Sequence, residues 1–405
     1  MTPSTLKLTV HLTTPQQKVG TLAYKDRKIY FEYDTQFLKT GIELSPYKLP
    51  LKAGVMRCDD NTFEGLWGVF NDSLPDGWGR LLMDRHLMRL GLHAQDLTPL
   101  DRLSYIGNYG MGALCYEPCT ETENPSIDAI ELDQISQHSQ EILEGSSEEL
   151  LDELLRLNGS SAGARPKAMI QLYDDGREII HGSQPLKEGY SHWMVKFASS
   201  MDNREIGAIE YAYSLMAKEA GLEMPKTALL KGNKGNYFAC ERFDRIGDTR
   251  VHVHSVAGLV HSDFRFPCLD YDDILSLTLH LTKNIQEQEK VFRLACFNLF
   301  AHNRDDHAKN FSFLMDVSGE WRFSPVYDIT FSSGPGGEHS TMYLGEGKNP
   351  TKKQLLALAK KHRLKNGATI CDEVYETVVQ WSKFAIKAGV SQKMIEFIRL
   401  RIRSL

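Results

Sequence analysis

Apolar and polar positions alternate along three short runs near the start of the chain, Lys7 to Leu12, Val19 to Tyr24 and Lys28 to Tyr33, with the turn-like Lys25-Asp26-Arg27 before the third. Successive strand side chains point to opposite faces, so this spacing predicts a small antiparallel sheet. The Asp, Pro and Gly residues of Phe70 to Arg80 fit a tight turn and helix start ahead of the amphipathic run Leu81 to Leu90. No two groups in that segment form a reacting pair, which gives it a structural reading. A helical stripe is expected within Ser147 to Leu157 and strands at Ala168 to Tyr173 and His192 to Phe197. Arg204 to Ala220 should be a helix, with Asp202 or Asn203 as N-cap, Gly221 as C-cap and Pro225 beyond. Strands at Thr227 to Leu230 and Asn236 to Cys240 follow. The pattern then turns helical over Asp272 to Leu281, Glu287 to Ala301, Lys352 to His362, Asp372 to Ala388 and Ser391 to Ile402. The expected class is α+β: a β-rich N-terminal region and N-lobe followed by an all-α C-lobe.

At 405 residues, with 41% apolar and 25% charged residues, the chain suits a multi-part globular protein. From Ser104 through Leu155 it has no Lys or Arg, and Glu121 to Ser126 reads as a linker. The expected divisions are 1–115, 116–244 and 245–405. No apolar run is long enough for a membrane span, and the first residues lack a signal-peptide core, so a cytoplasmic protein without membrane contact is expected. The seven cysteines show no metal-ribbon spacing and read as reduced thiols. A net charge of −6 argues against direct DNA binding; contact with DNA is expected only through a partner.

The densest chemistry lies in His302 to Phe311, where two acids, two imidazoles, two cations and two amides follow an apolar run that reads as a buried helix. Asp305 and Asn310 stand as D-x-x-x-x-N, the spacing of a kinase catalytic loop, in which the Asp accepts a hydroxyl proton and the Asn holds magnesium. Asp306 leaves room for a shift of one residue. Ser324 to Ile329 reads as a short strand carrying Asp328, placed like a second metal ligand. Asn158 to Lys167 is a small-residue loop of the kind that lets backbone N–H groups approach phosphates. Lys196, in a half-buried strand, needs an anionic partner unless it faces solvent. Glu210 on the following helix is one candidate, a nucleotide phosphate another. Glu241-Arg242-Phe243 reads as a hinge whose backbone could hold an adenine.

Gly-Ser-Ser-Ala-Gly-Ala-Arg-Pro-Lys at 159–167, Lys196, Glu-Arg-Phe-Asp-Arg at 241–245, Asp-Asp-His-Ala-Lys-Asn-Phe at 305–311 and Tyr-Asp-Ile at 327–329 together resemble the HipA family of serine/threonine kinases, the toxins of bacterial toxin–antitoxin modules. Leu-Pro-Asp-Gly-Trp-Gly-Arg at 74–80 resembles that family's N-terminal region. The resemblance implies a two-lobed kinase-like fold using ATP and Mg²⁺. Asp305 would be the catalytic base, supported by His307 and Lys309, and Asn310 and Asp328 would hold the metal. Ser160, Ser161, Ala162, Gly163, Ala164, Lys167 and Lys196 would surround the phosphates, with Glu241, Arg242 and Phe243 at the adenine. It also implies autophosphorylation of Ser160 or Ser161, a HipB-type helix-turn-helix antitoxin as partner, and a protein substrate such as an aminoacyl-tRNA synthetase. The alternatives are a catalytically weak corepressor acting with a DNA-binding antitoxin, and a lipid or small-molecule kinase.

Overall fold

The computed structural model describes residues 7–402, apart from 94–95, 120–130, 146–150, 159–162, 175, 177, 183–184 and 200–201. The early alternation becomes strands β1 (Lys7–Thr13), β2 (Gln16–Lys25) and β3 (Lys28–Tyr33), joined by β4 (Met56–Arg57) and β5 (Leu114–Glu117) in the order β4-β3-β2-β1-β5. Leu8, Val10 and Leu12 point into the core. Asp26 and Arg27 take φ of 52° and 57°, the left-handed two-residue turn whose twist suits a hairpin. Helices α1 (Gly77–Arg89) and α2 (Pro99–Ile106) complete this region, α2 starting at a Thr98/Asp101 capping box.

After α3 (Leu132–Glu144) and α4 (Leu151–Asn158) comes a second sheet, β6 (Lys167–Tyr173), β7 (Ile179–His181), β8 (Tyr190–Lys196), β9 (Thr227–Lys231) and β10 (Asn236–Glu241), in the order β7-β6-β8-β10-β9. Helix α5 (Ile206–Glu219) crosses between β8 and β9. A single apolar core runs from Leu8 and Val10 through Trp78 to Ala168, Val195 and Ala239. The N-terminal sheet and the second sheet are therefore parts of one packed body. The expected linker at 121–126 lies outside the described residues.

A second core gathers Tyr213 and Met216 of α5 with α6 (Tyr271–Thr282), α7 (Ile285–Phe300), α8 (Lys352–Lys361), α9 (Gly367–Val378), α10 (Trp381–Ala388) and α11 (Gln392–Ile402). This predominantly helical lobe also carries a three-stranded sheet, β11 (His252–Ser255), β12 (Ser312–Met315) and β13 (Trp321–Phe323). The C-lobe is therefore not all-α as expected, because the chain on either side of the polar loop pairs as strands, and two local expectations also change. The helix expected over Asp372 to Ala388 is broken after Val378, where Gln380 N–H turns to Thr377 O at 3.1 Å. The break swings Trp381 into the core, its ring 5.1 Å from Tyr213 and its indole N–H donating to Ile395 O at 3.2 Å. The strand expected over Ser324 to Ile329 is irregular backbone, since Pro325 offers no N–H and Asp328 adopts φ 54°.

Candidate active site

The two lobes enclose a cleft of about 680 Å³, lined by the second sheet above, by the loop after α7 below and by part of the N-terminal region at the back. Lys167 and Lys196 face each other directly in the register of β6 and β8. Two like charges placed opposite across a sheet repel, so the arrangement requires anions. Lys196 Nζ donates to the Glu210 carboxylate of α5 and, at 2.6 Å, to Asp328 Oδ1 from the other lobe. Burial would lower the Lys196 pKa, but Asp328 and Glu210 outweigh it and raise it. Burial opposes ionisation of Asp328, and Lys196 and Lys167 nevertheless hold it well below the usual carboxylate range. Glu210, fully enclosed, is pushed up by burial despite Lys196. Lys167 is pushed down to about 8 by burial, with Asp328 opposing and Lys196 adding to the fall.

Below, the buried helix α7 delivers the polar loop, and its two adjacent acids take different environments. Asp306 is enclosed, accepting from Tyr271 Oη at 2.9 Å, Ser340 N at 2.8 Å and Thr341 N at 3.2 Å, with His339 Nδ1 3.0 Å away. Its carboxylate is committed to fixing the loop. Asp305 opens onto the cleft instead. Partial desolvation between the cleft walls raises its pKa, the charges of Asp328 and Asp306 add to the rise, and His307 opposes it. Asn310 donates from Nδ2 to Asp305 O at 2.7 Å, which ties the two ends of the D-x-x-x-x-N segment together. Removing the Asp306 carboxylate with Asp306→Ala should cost about 3–5 kcal/mol, because it strands buried donors. Urea unfolding at neutral pH measures this; a loss below about 1 kcal/mol would contradict the anchoring role.

His307 and Lys309 also line the cleft. The His307 ring lies 5.6 Å from Phe264, and its Nδ1 is buried without a hydrogen-bond partner among the described residues. Lys309 Nζ donates to Asp76 Oδ2 at 2.6 Å and lies 4.5 Å from the Phe264 ring centre. At the hinge, Glu241 and Arg242 spend their N–H groups on Lys226 O at 2.9 Å and His192 O at 2.8 Å. The Arg242 guanidinium is committed to Asp244 through two bonds of 2.9 and 2.8 Å. Asp244 also accepts from Arg245 and from Gly112 N, so this buried cluster ties the hinge to the N-terminal region. The Glu241 carbonyl accepts from the Cys240 thiol at 3.6 Å, a weak donor. Gly163 and Ala164 line the cleft. Ser160, Ser161 and Ala162 lie outside the described residues.

The segment given a structural reading, Phe70 to Arg80, places Asp72, Asp76 and Gly77 in the cleft wall, and Met111, Ala113 and Leu114 extend that wall. Asp72 accepts from Ser255 N and Oγ, both at 2.7 Å. The sequence signal for Asp76 was a charged residue among turn-formers; its partner is 233 positions away. For a cation, the donor set is the Asp328 carboxylate and the Asn310 carboxamide, both hard oxygen groups. No cluster of three or more Asp, Glu, His or Cys groups that could hold a metal exists among the described residues. The set fits Mg²⁺, which is commonly held by one or two carboxylates together with phosphate oxygens and water.

A β-rich lobe joined by a hinge to a mainly helical lobe, with the lysine–glutamate pair above and the acid–amide loop below, defines a two-lobed, kinase-like protein. The model of the HipA N-terminal domain matches residues 8–117, and that of the HipA-like C-terminal domain matches residues 159–382. The chain belongs to the HipA family. Its fold is similar to a chain of the Shewanella oneidensis MR-1 toxin–antitoxin complex of HipA, HipB and operator DNA, with TM-score 0.73 and 18% identity over 98% of this chain and 95% of that one. A curated Haemophilus influenzae protein named "Putative kinase" is 25% identical over 135 residues, and the match covers 30% of this chain and 39% of the relative's length. No helix among the described residues is long and apolar enough to cross a membrane.

Proposed function

We propose that this protein is an ATP- and Mg²⁺-dependent serine/threonine protein kinase acting as the toxin of a toxin–antitoxin pair. The observation that carries the reading is Lys196, held at once by Glu210 of its own lobe and by Asp328 across the cleft, with Lys167 opposite it. Such a site concentrates positive charge where phosphates would lie and keeps a carboxylate ionised beside it. Asp305 accepts the target hydroxyl's proton as the new bond from Oγ to the γ-phosphorus forms, the bond to the ADP oxygen breaks and ADP leaves. Asn310 and Asp328 would hold Mg²⁺, which when bound neutralises phosphate charge. Lys167 and Lys196 orient the phosphates, Glu210 orients Lys196, and Glu241 to Phe243 receive the adenine. Catalysis is positioning and charge neutralisation.

The likeness to the HipA chain of the Shewanella complex, which also holds HipB and operator DNA, supports a HipB-type antitoxin as partner, and through it an indirect contact with DNA. The protein substrate is a translation factor such as an aminoacyl-tRNA synthetase, and a loop serine, Ser160 or Ser161, is a self-modification site. Phosphate there would place about two negative charges where ATP phosphates belong and lower activity. The test is to incubate unmodified wild type and Asp305→Ala protein with Mg-ATP and map phosphate on the peptide holding both serines. Phosphate on the wild type alone is expected. Phosphate on neither, from protein that binds ATP, would turn the reading towards a corepressor.

Lys167 gives a pH prediction. Its folded pKa of about 8 lies below its ordinary value, so it loses its proton as pH passes 8 and an anion-binding charge disappears. Nucleotide affinity should weaken between pH 7 and 9, by at most about tenfold per pH unit, and Lys167→Met should flatten that slope in a titration. For stability the sign is opposite: the buried ammonium costs stability below pH 8, and the cost fades as pH rises from there towards the unfolded value.

A further inference from the structure

Asp76 occupies the N-cap position of α1, where an aspartate ordinarily accepts from the first backbone N–H groups of its own helix. Here it makes no such bond. One carboxylate oxygen instead accepts from Gly163 N, at the end of the expected phosphate loop, and the other accepts from Lys309 Nζ at 2.6 Å. The next residues repeat the contact through backbone: Trp78 N donates to Gly163 O at 3.0 Å. Gly77 has φ +44°, and a Cβ there would lie 2.5 Å from Gly163 O and 2.7 Å from Gly163 C, so only glycine permits this approach. Lys309 is pinned between the Asp76 carboxylate and the Phe264 ring, next to Asn310 and within the short turn Ala308–Asn310. Burial opposes ionisation of Asp76, but Lys309 and the Gly163 N–H overcome it and keep its pKa low, so the clasp is ionic at neutral pH.

We infer that Asp76 is a positioning residue of the transfer site, supplied by the N-terminal region, which holds Lys309 and the Gly163 end of the phosphate loop in one geometry. The inference rests on the kinase reading. It makes the N-terminal region a working part of the site, since one carboxylate couples the loop above the cleft to the loop below it.

The experiment uses the full chain as wild type, Asp76→Asn, Lys309→Met and the double variant. Initial rates with Mg-ATP, thermal melts and hydrogen exchange of the peptide from Gly163 to Lys167 are compared. Asn preserves the volume and removes the charge. Asp76→Asn is expected to lower kcat by roughly 10–100-fold through misplacement, with KM changed less than kcat and the melt lowered but still cooperative, because the buried Lys309 ammonium loses its counter-ion. The double variant should lose less than the product of the two single losses, because part of what Asp76 does passes through Lys309. A kcat within twofold of wild type, or losses that multiply in the double variant, would overturn the inference. Exchange separates its failure from that of the kinase reading. If folded wild type transfers no phosphate, the kinase reading falls, while faster exchange of the peptide in Asp76→Asn still supports the clasp and unchanged exchange overturns it.

Discussion

Asp305→Ala should slow phosphoryl transfer by about two to four orders of magnitude, the usual worth of a positioned general base, with little change in nucleotide affinity or melting temperature. The reason is in the contrast between adjacent acids. Asp305 opens to the cleft and keeps company with the charge of Asp328, whereas Asp306 is wholly committed to Tyr271, His339 and two backbone N–H groups. A carboxylate whose folded pKa is raised adds no stability when it ionises, so its loss leaves the fold intact. The same shift places the acid limb of the rate profile above the ordinary aspartate value, because the base must be ionised to work. Retention of more than a tenth of the wild-type rate by Asp305→Ala would remove it from this role.

Lys196→Met should both abolish nucleotide binding and destabilise the protein by about 3–5 kcal/mol, the cost of leaving buried charge unpaired. In the wild type, the raised Lys196 pKa contributes stability that is full below the unfolded lysine value and is lost as pH rises through the folded one. The lowered Asp328 pKa contributes stability present above the unfolded aspartate value and lost as pH falls through the folded one. The two contributions overlap across neutral pH. Without the ammonium, Glu210 and Asp328 repel, and relief comes by protonating Glu210, whose pKa is already raised. The deficit should therefore shrink on going from about pH 7.5 to about pH 5, and Glu210→Gln in the same chain should restore part of it. Urea unfolding at both pH values decides; an equal deficit at both would mean that the two carboxylates do not share the Lys196 ammonium.

What the sequence disclosed depended on how local each feature is. The alternation of β1 to β3, the run that became α7 and the polar loop behind it are contiguous, so their periodicity and spacing are visible along the chain. Strand β11 was not, because His252 and His254 are buried polar residues, their Nε2 atoms bonded to Leu44 O at 3.1 Å and Ser45 Oγ at 2.9 Å, and they disguise an inward face as an outward one. The ambiguity between Asp305 and Asp306 is a matter of burial, which spacing does not encode. Arg242 belonged to the hinge motif, yet its side chain serves Asp244, and only the tertiary path of residues 108–114 shows why that ion cluster exists. Asp76 is the extreme case: its meaning lies entirely in residues of two other segments.

That the N-terminal sheet shares its core with strands running to Ala239, and that Asp76 meets Lys309, also sets a timetable for synthesis. On a ribosome the first sheet emerges early but cannot complete its packing until the second has been made. The acid of α1 must then wait for 233 further residues before its lysine exists. At about 5–20 residues per second this takes on the order of 10–50 s. Throughout that interval the nascent chain lacks Asn310 and Asp328, and it gains Asp305 only four residues before the interval ends, so the lower half of the cleft is built last.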